Sequence, residues 1–354
     1  MKEVFSKGEK GMKAKKGLCL FITVGFLVLS CVINLYAASS ALDFYKGRVI
    51  DYIVATTPGG GYDAYARLIG RYMQKYISGS TIIVKNVPGA GHIVGANETY
   101  FAKPDGLTIG TFDKGLIISQ LIGLKGVRFD MAKFSYIGKA TSEPRIMVVS
   151  KKSPYKTIKE FMEGRETIRM GTSGVGSSAH NETLIFIAAT GAKHLKAVAG
   201  YPGNDLNMAI MRGDVAATIN SYDNLYNFIR EGEARVLLKF TKKNITGLDN
   251  ANLPTVWDII TSEKGRRLLA IIAQLGEIGR LTTAPPNVSA DRLAVLRDAY
   301  KTALTDPKLI EEGRKEGFEF EPGYGDDVLK LVKDALNQSA ENVALLKEIL
   351  GKRQ

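Results

Sequence analysis

Apolar residues follow two spacings along most of the chain, which indicates strands that alternate with helices. Residues 49–55, VIDYIVA, form a compact apolar run, and from Asp63 to Ile77 apolar side chains recur every three or four positions. The continuous apolar run predicts a strand, and the recurrence every three or four positions predicts an amphipathic helix. Further strand patterns follow at residues 81–85, TIIVK, and 107–111, LTIGT. A strand–helix order of this kind favours a parallel, doubly wound sheet.

The pattern restarts after a Ser-Glu-Pro sequence near residue 142 and predicts a second α/β unit. Its predicted helices cover 157–164, 177–191, 204–213 and 222–232, and its predicted strands cover 167–172, 194–199, 214–220 and 235–240. The segment 270–286 then leads into helical sequence, which ends in one long pattern from Asp326 to Leu350. We therefore expect two α/β units and a helical C-terminal part.

Glycines, serines and other small polar residues gather where a predicted strand ends and a predicted helix begins. The stretches are TPGGGYD, GTFDKG, GTSGVGSSAH, AGYPGND and INSYDN. Ligands bind at the carboxyl ends of parallel strands, where helix N-termini offer unpaired N–H groups and a partial positive charge. Gly59, Gly60 and Gly61 let a ligand approach the backbone, and Asp63 is placed to cap the helix. Five such loops predict a ligand cleft.

The sequence lacks the motifs of nucleotide, metal and catalytic sites. No stretch has the phosphate-loop spacing, GGGYDA lacks the third glycine of a dinucleotide fingerprint, and no G-x-S-x-G elbow occurs. His92, His180 and His194 do not have metal-ligand spacing. Ser177 and Ser178 stand close to His180, but at a helix start they are expected to donate hydrogen bonds, although sequence alone does not exclude a triad. We expect no cofactor, no metal and no enzyme.

The first 37 residues have the layout of a secretory signal peptide. Six lysines precede an uncharged apolar run, residues 17–36, and small residues follow at once. An uncleaved anchor and a lipoprotein anchored at Cys31 are the lower-ranked alternatives. Cleavage after Ala37 removes six lysines and two glutamates, which lowers the formal charge from +12 to +8, and it removes both cysteines. The remaining chain has no basic run with interleaved aromatics, so nucleic acid is not an expected partner.

Seven segments, taken in order, resemble the receptors of tripartite tricarboxylate transporters, the TctC or Bug family. They are TTPGGGYDAYARLIGRYM, IIVKNVPGAGHIVGAN, AKPDGLTIGT, GTSGVGSSAHNETLIF, AGYPGNDLNMAIMRGDVAATI, NLPTVWDI and TAPPNVSADRLAVLRDAYKTALTDP. Each motif is short, but together they cover residues 43 to 350 in the family's order. The resemblance implies a type II periplasmic-binding-protein fold of two α/β domains, with parallel-rich sheets, crossover strands and a ligand cleft between the domains.

This resemblance also implies the domain boundaries and the function. Domain 1 would comprise residues 43–146 and 273–354, and domain 2 residues 147–272, with crossings near 141–149 and 271–279. The protein would be a monomeric periplasmic or other extracytoplasmic receptor for a small organic carboxylate, namely a di- or tricarboxylate, an aromatic acid or an amino acid. Its membrane partners would be large and small transporter subunits like TctA and TctB. A ligand-sensing partner of a membrane sensor and, less favoured, an exported enzyme remain the alternatives.

The expected ligand contacts come from the loops at both sides of the cleft. They are Gly59, Gly60, Gly61, Tyr62, Thr111, Asp113, Ser173, Gly176, Ser177, Ser178, Tyr201, Asn204, Ser221 and Asp223. Asp63 and His180 are expected to act as helix caps or to support these residues from behind. Tyr62, Pro202 and Asp113 depart from the family's pattern, and Asp113 would repel an anion unless Lys114 neutralises it or the ligand carries an ammonium group. These departures leave the ligand class open.

Overall fold

The computed structural model describes residues 41–248 and 251–351, and the predicted signal segment with its alternative anchors lies outside them. The strands are β1 Val49–Val54, β2 Thr81–Asn86, β3 Thr108–Thr111, β4 Ser135–Lys139, β5 Arg145–Ser150, β6 Ile168–Thr172, β7 Leu195–Ala199, β8 Ala217–Ser221, β9 Ala234–Lys239, β10 Leu281–Ala284 and β11 Gly323–Tyr324. None of the helices in these two ranges is long and apolar enough to cross a membrane.

The helices alternate with these strands up to β10 and then dominate the C-terminal part. They are α1 Gly61–Tyr76, α2 Ile93–Phe101, α3 Leu116–Ile122, α4 Ile158–Met162, α5 Ser178–Thr190, α6 Asp205–Arg212, α7 Tyr222–Arg230, α8 Val256–Ile259, α9 Glu263–Ile278, α10 Ala290–Thr305, α11 Pro307–Lys315, α12 Gly325–Leu336 and α13 Ala340–Gly351. Short 3₁₀ turns lie at Ala90–His92 and Met131–Lys133.

Two separate sheets form the centres of the two α/β units. The first has the order β11-β4-β10-β3-β1-β2, and the second has the order β7-β6-β8-β5-β9. β1 runs parallel to β2 and β3, and β6 runs parallel to β7 and β8. β10 is antiparallel to both of its neighbours, and so is β5. The predicted fold of two α/β units with parallel-rich sheets is therefore confirmed.

The chain crosses between the sheets twice, and the two crossings lie side by side. The first crossing joins β4 to β5, and the second lies between α9 and β10. Arg280 N–H donates to Thr141 O at 3.1 Å, and Glu143 N–H donates to Gly276 O at 2.8 Å. The second crossing was expected near 271–279, and in the structure α9 continues through Ile278 and the chain passes to β10 directly after it. The predicted domain boundaries at 146 and 272 stay a prediction.

The C-terminal helical pattern is broken into two helices rather than one. α12 ends at Leu336, and Ser339 Oγ then accepts the N–H of Asn342 at 3.1 Å, which caps the start of α13. Because a serine side chain competes for backbone N–H groups, the pattern restarts there instead of continuing. α13 packs against both α3 and α5, which belong to different α/β units. This helix therefore joins the two units on the side where the chain ends.

Candidate ligand-binding site

The first glycine-rich loop leads from β1 into α1, and no side chain caps the start of that helix. α1 begins at Gly61, and Gly60 before it contributes no capping side chain. Asp63 instead reaches back from the first turn, and its Oδ2 accepts the N–H of Gly59 at 3.0 Å. Burial would raise the pKa of Asp63, but this bond and the one from Arg67 hold it below its usual value. Asp63 therefore fixes the loop, and the helix N-terminus keeps its positive end for an anion.

The second glycine-rich loop leads from β6 into α5 and uses its own side chains to stabilise the helix start. Ser177 is the N-cap residue: its Oγ accepts the N–H of His180 at 3.3 Å and donates to Gly174 O at 2.7 Å. The Nδ1 of His180 lies 3.0 Å from Thr172 Oγ1, at the end of β6. Both side chains therefore hold the loop in position, as a supporting role for His180 requires.

The second glycine-rich loop meets the other α/β unit, so the described conformation is closed. Ser178 Oγ donates a hydrogen bond to Asp113, which follows β3 in the other unit. Gly91, before α2, touches the second loop: a Cβ there would lie 3.1 Å from the carbonyl carbon of Gly176 and 3.4 Å from Ser177 N. Only glycine lets the two backbones approach this closely. The N-terminal ends of helices from both units therefore enclose one cleft.

The starts of α1 and α7 close the other end of the same cleft. The hydroxyl of Tyr65, on α1, donates to Asp223 Oδ2 at 3.4 Å and to Glu319 O at 2.9 Å. Asp223 stands in the first turn of α7, and its side chain is only 4% exposed. Asn224 beside it accepts from Arg280 Nη2 at 3.2 Å. Both units and the second crossing segment therefore contribute side chains to this end.

A network of buried charges lines the cleft. Lys114 pairs with Glu143, whose other oxygen lies 3.3 Å from Arg280 Nη2. Arg145 Nε contacts both carboxylate oxygens of Glu182, at 2.9 and 2.7 Å. Burial disfavours the charge on Glu143, but the neighbouring cations Lys114, Arg280 and Arg145 outweigh it and lower its pKa. Since a buried charge is tolerated only when it is paired, each of these pairs depends on both partners.

Asp113 forms no direct ion pair with Lys114, although the charge of Lys114 lies close to it. Its Oδ1 accepts the N–H of Gly115 at 2.6 Å and the hydroxyl of Ser178, while Lys114 Nζ contacts Glu143. Burial alone would raise the pKa of Asp113, but the nearby Lys114 charge leaves it below the usual value. The carboxylate is thus satisfied within the protein, and its presence does not require an ammonium group on the ligand.

Arg280 has two buried donor atoms that make no hydrogen bond. Its guanidinium lies between the rings of Tyr62 and Tyr65, 4.6 and 4.7 Å from their centroids. Its Nε and Nη1 are buried and have no hydrogen-bond partner, although Nε lies 3.7 Å from Asp223 Oδ2. A Cβ on Gly61 would lie 2.7 Å from Nη2, so the glycine makes room for the guanidinium at the start of α1.

Two further buried side-chain atoms without hydrogen bonds belong to the loops and strand ends of this region. They are Ser221 Oγ, at the end of β8, and Nδ1 of His92, whose ring meets Tyr62 edge-on at 5.3 Å. Burial lowers the pKa of His92, so the imidazole is neutral at pH 7. Buried polar atoms without a hydrogen bond are rare in folded proteins, and their occurrence here indicates a site built for a polar ligand. Across residues 41–248 and 251–351, no cluster of His, Cys, Asp or Glu is arranged to hold a metal ion.

The structure brings many of the predicted site residues together but not all of them. Gly61 lies against Arg280, and the hydroxyl of Tyr62 donates to Glu143. Ser178 donates to Asp113 across the closed cleft, and Asp223 accepts from Tyr65. Gly59, Gly60, Thr111, Ser173, Gly176, Ser177 and Ser221 lie on the same loops or strand ends. Their role in ligand binding stays a prediction.

Tyr201 and Asn204 do not join the charged network. Tyr201 is half-buried and packs against the apolar cluster of the second sheet, which includes Leu206. Asn204 is exposed just before α6 and makes no capping hydrogen bond. Within the described ranges, no side-chain hydrogen bond or ion pair connects either residue to Arg280 or its partners. The ligand-binding role of Tyr201 and Asn204 therefore stays a prediction.

Arg280, Glu143, Arg145, Glu182 and His92 are the site residues that the sequence did not reveal. Glu143 and Arg280 stand on the crossing segments, where no helical or strand period assigns a side chain to the cleft, and Arg145 is the first residue of β5. A signal was nevertheless present. SEPR and EIGR each place charged residues between apolar runs that form buried strands or helices, and a charge in such a place needs a buried partner.

Two α/β units closed over a polar, buried cleft define the class of periplasmic-type solute-binding proteins. The chain belongs to the TctC family, the tripartite tricarboxylate transporter family receptors, whose family model matches residues 65–349. The resemblance seen in the seven sequence motifs is therefore confirmed. A UPF0065 protein of Bordetella pertussis is 26% identical over 327 residues, which are 88% of this chain and 94% of that protein. Protein BugT of the same organism is 26% identical over 228 residues, covering 62% of this chain and 67% of BugT.

Solved structures of binding proteins share the fold. The periplasmic binding protein BugD superposes with a TM-score of 0.70 at 20% identity, covering 86% of this chain and 98% of BugD. MatC from Rhodopseudomonas palustris, solved with bound malate, gives a TM-score of 0.67 at 19% identity, covering 86% and 99% of the two chains. At such identities the likeness shows the shared architecture, and the ligand must be inferred from this chain's own cleft.

Proposed function

We propose that this protein is an extracytoplasmic receptor that captures a small organic carboxylate between its two α/β units. It then presents the acid to the large and small membrane subunits of a tripartite tricarboxylate-type transporter. The observation that supports this most directly is the buried guanidinium of Arg280, whose Nε and Nη1 lack hydrogen-bond acceptors inside a closed cleft. A carboxylate is the acceptor that such a guanidinium binds best.

The surroundings of Arg280 support an anionic ligand as well. The guanidinium lies at the start of α1, next to Gly61, where the helix dipole also attracts negative charge. The guanidinium and the positive end of the α1 dipole repel each other, and an anion bound between them would stabilise both. The family to which the chain belongs consists of transporter receptors, and one solved structure with the same fold holds malate and another holds adipate.

Catalysis is not part of the proposal, because the serines near His180 are engaged elsewhere. Ser177 caps α5 and Ser178 donates to Asp113, while Nδ1 of His180 faces Thr172. A hydrolytic serine needs an imidazole within hydrogen-bond reach of its hydroxyl. The apolar run of residues 17–36 after a lysine-rich start supports export, which a receptor of this kind requires.

The test is a ligand panel on the protein purified after export in a bacterial host. Melting temperature and calorimetry would be followed with mono-, di- and tricarboxylates, aromatic acids and amino acids. An acid present at 100 times its Kd stabilises the protein by about 2.7 kcal/mol. We expect at least one acid to bind and to be recovered unchanged, and we expect cells without the membrane subunits to lose uptake of that acid. Conversion of the acid, or binding without any effect on uptake, would contradict the proposal.

A further inference from the structure

The buried charges of the cleft add up to an excess of negative charge. Four carboxylates face three cations in this network, and each of these side chains is at least nine-tenths buried. The carboxylates are those of Asp113, Glu143, Glu182 and Asp223, and the cations are those of Lys114, Arg145 and Arg280. An organic acid bound in the cleft adds a further negative charge, which is poorly screened where water is excluded. Binding of the acid therefore favours uptake of a compensating positive charge.

Three of the four carboxylates have close partners that stabilise their ionised form. Glu143 contacts Lys114, and both oxygens of Glu182 lie within 2.9 Å of Arg145 Nε. Asp113 accepts two hydrogen bonds, one from a backbone N–H and one from a hydroxyl. Contacts of this kind favour the charged carboxylate over the neutral acid.

Asp223 has the weakest contacts of the four carboxylates. Its Oδ2 lies 3.7 Å from Arg280 Nε, beyond hydrogen-bond distance, and accepts one long hydrogen bond of 3.4 Å from Tyr65. Burial raises the pKa of Asp223 to about 6, in spite of Arg280 and Tyr65. The other charged or titratable groups around Asp223 and its neighbours are Glu143, Lys114, Tyr222 and Glu319.

The unused donors of Arg280 place a ligand carboxylate close to Asp223. Nε and Nη1 of the guanidinium are buried without a hydrogen bond, and Nε is the atom that faces Asp223. An acid that accepts from either atom shares this cation with Asp223 and adds like charge beside it. Two neighbouring carboxylates hold one proton between them more readily than both stay ionised.

We propose that Asp223 is a proton-binding site of the ligand cleft, and that the protein takes up a proton there when it captures an organic acid at Arg280. This inference rests on the proposed receptor function and adds a second bound species to it. The proton comes from solvent and leaves the carboxylate again when the acid is released. One ligand carboxylate is enough to supply the added charge, so mono- and dicarboxylates should behave alike in this respect.

Calorimetry on the exported protein counts the protons. Benzoate, hexanoate, succinate and adipate are titrated in imidazole and in Tris buffer, which ionise with different enthalpies and carry no acid group. All four acids are ionised between pH 7 and 8, so a proton taken up there binds to the protein. With the tightest binder we expect an average uptake of at least half a proton per acid over this range, which makes the Kd at least about threefold lower at pH 7 than at pH 8.

Asp223→Asn tests where the proton binds, because an amide does not titrate and resembles the protonated acid. The variant should take up no proton with the same acid, and at pH 8 it should bind that acid at least about threefold more tightly than the unchanged protein does. Asp298→Asn, at an exposed position on α10, is the matched control and should take up as many protons as the unchanged protein. If Asp223→Asn does not fold, Asp223→Ala is judged by the same proton count.

Two results would overturn the inference and leave the receptor function standing. One is binding of an acid to the unchanged protein without proton uptake. The other is undiminished uptake by a folded Asp223→Asn protein, because the proton would then bind elsewhere, for example at Glu182, whose pKa burial also raises. If no acid binds at all, the proposed function fails and the inference fails with it.

Discussion

Replacing Asp223 by asparagine should stabilise the protein at neutral pH, although it removes a charge that lies near an arginine. The carboxylate is 3.7 Å from Arg280 Nε and accepts one long hydrogen bond, 3.4 Å, from Tyr65. Burial raises the pKa of Asp223 from 3.8 to about 6, against the opposing effect of Arg280. The folded protein therefore holds the charged form less readily than the unfolded chain does.

The size of the effect follows from this shift in pKa. Well below pH 4 Asp223 is protonated in both states and has no effect on stability. As the pH rises from about 4 to 6, the unfolded chain releases its proton first, so the free energy of unfolding falls. Above pH 6 the loss is complete, and a shift of about two pH units corresponds to roughly 3 kcal/mol. Asparagine resembles the neutral acid, so Asp223→Asn should restore about that amount at pH 7.

Urea unfolding at several pH values between 4 and 7.5 measures this directly. The free energy of unfolding of Asp223→Asn should differ least from that of the unchanged protein near pH 4 and exceed it progressively up to pH 7. Asp298→Asn, an exposed aspartate on α10, is the matched control and should give the same small difference at every pH. If Asp223→Asn is less stable than the unchanged protein at pH 7, the ion pair with Arg280 outweighs burial and the reasoning is refuted.

Three further substitutions test other parts of the cleft by urea unfolding. Gly279 has φ +63° and ψ −142°, and a Cβ there would lie 1.7 Å from Thr141 O. Gly279→Ala should therefore lower the free energy of unfolding by more than about 3 kcal/mol. A decrease below about 1 kcal/mol would contradict this. Glu182→Gln leaves Arg145 unpaired and should cost about 3–5 kcal/mol, whereas the apolar double replacement Arg145→Met with Glu182→Leu should cost much less. If the single and the double replacement lower the free energy of unfolding equally, the ion pair of Arg145 with Glu182 itself stabilises the fold. Ser177→Ala removes a helix cap and should cost about 1 kcal/mol, and an unchanged midpoint would argue against the cap.

The sequence predicted most of the fold because its elements follow regular periods. β1 and α1 were placed to within two residues, since an apolar run is followed directly by glycines and then by helical spacing. The division of the C-terminal pattern was missed, because apolar residues on both sides of Ser339 keep a helical spacing while the serine caps a new helix. The boundary between α12 and α13 is set by the side-chain hydrogen bond of Ser339, and the spacing of apolar residues carries no information about such a bond.

The candidate site was predicted only in its loops. Gly61 and Ser178 belong to local motifs, so their place at a helix start could be inferred from neighbouring residues. Arg280 could not be assigned in this way. It lies 137 residues from Glu143 along the chain, and their contact exists only because two crossing segments hydrogen-bond side by side. Long-range pairing of this kind is set by tertiary folding and leaves no periodic signal in one sequence.

The contact between Gly91 and the second glycine-rich loop has a consequence for the kinetics of ligand capture. With the backbones touching there, and with Ser178 bonded to Asp113, a solute from outside does not reach Arg280 in the closed form. Association must therefore wait for the units to separate, and the population of that open form scales the association rate. Release is limited by the same separation, so residence time would be set by the strength of the protein's own contacts across the cleft as well as by those to the acid.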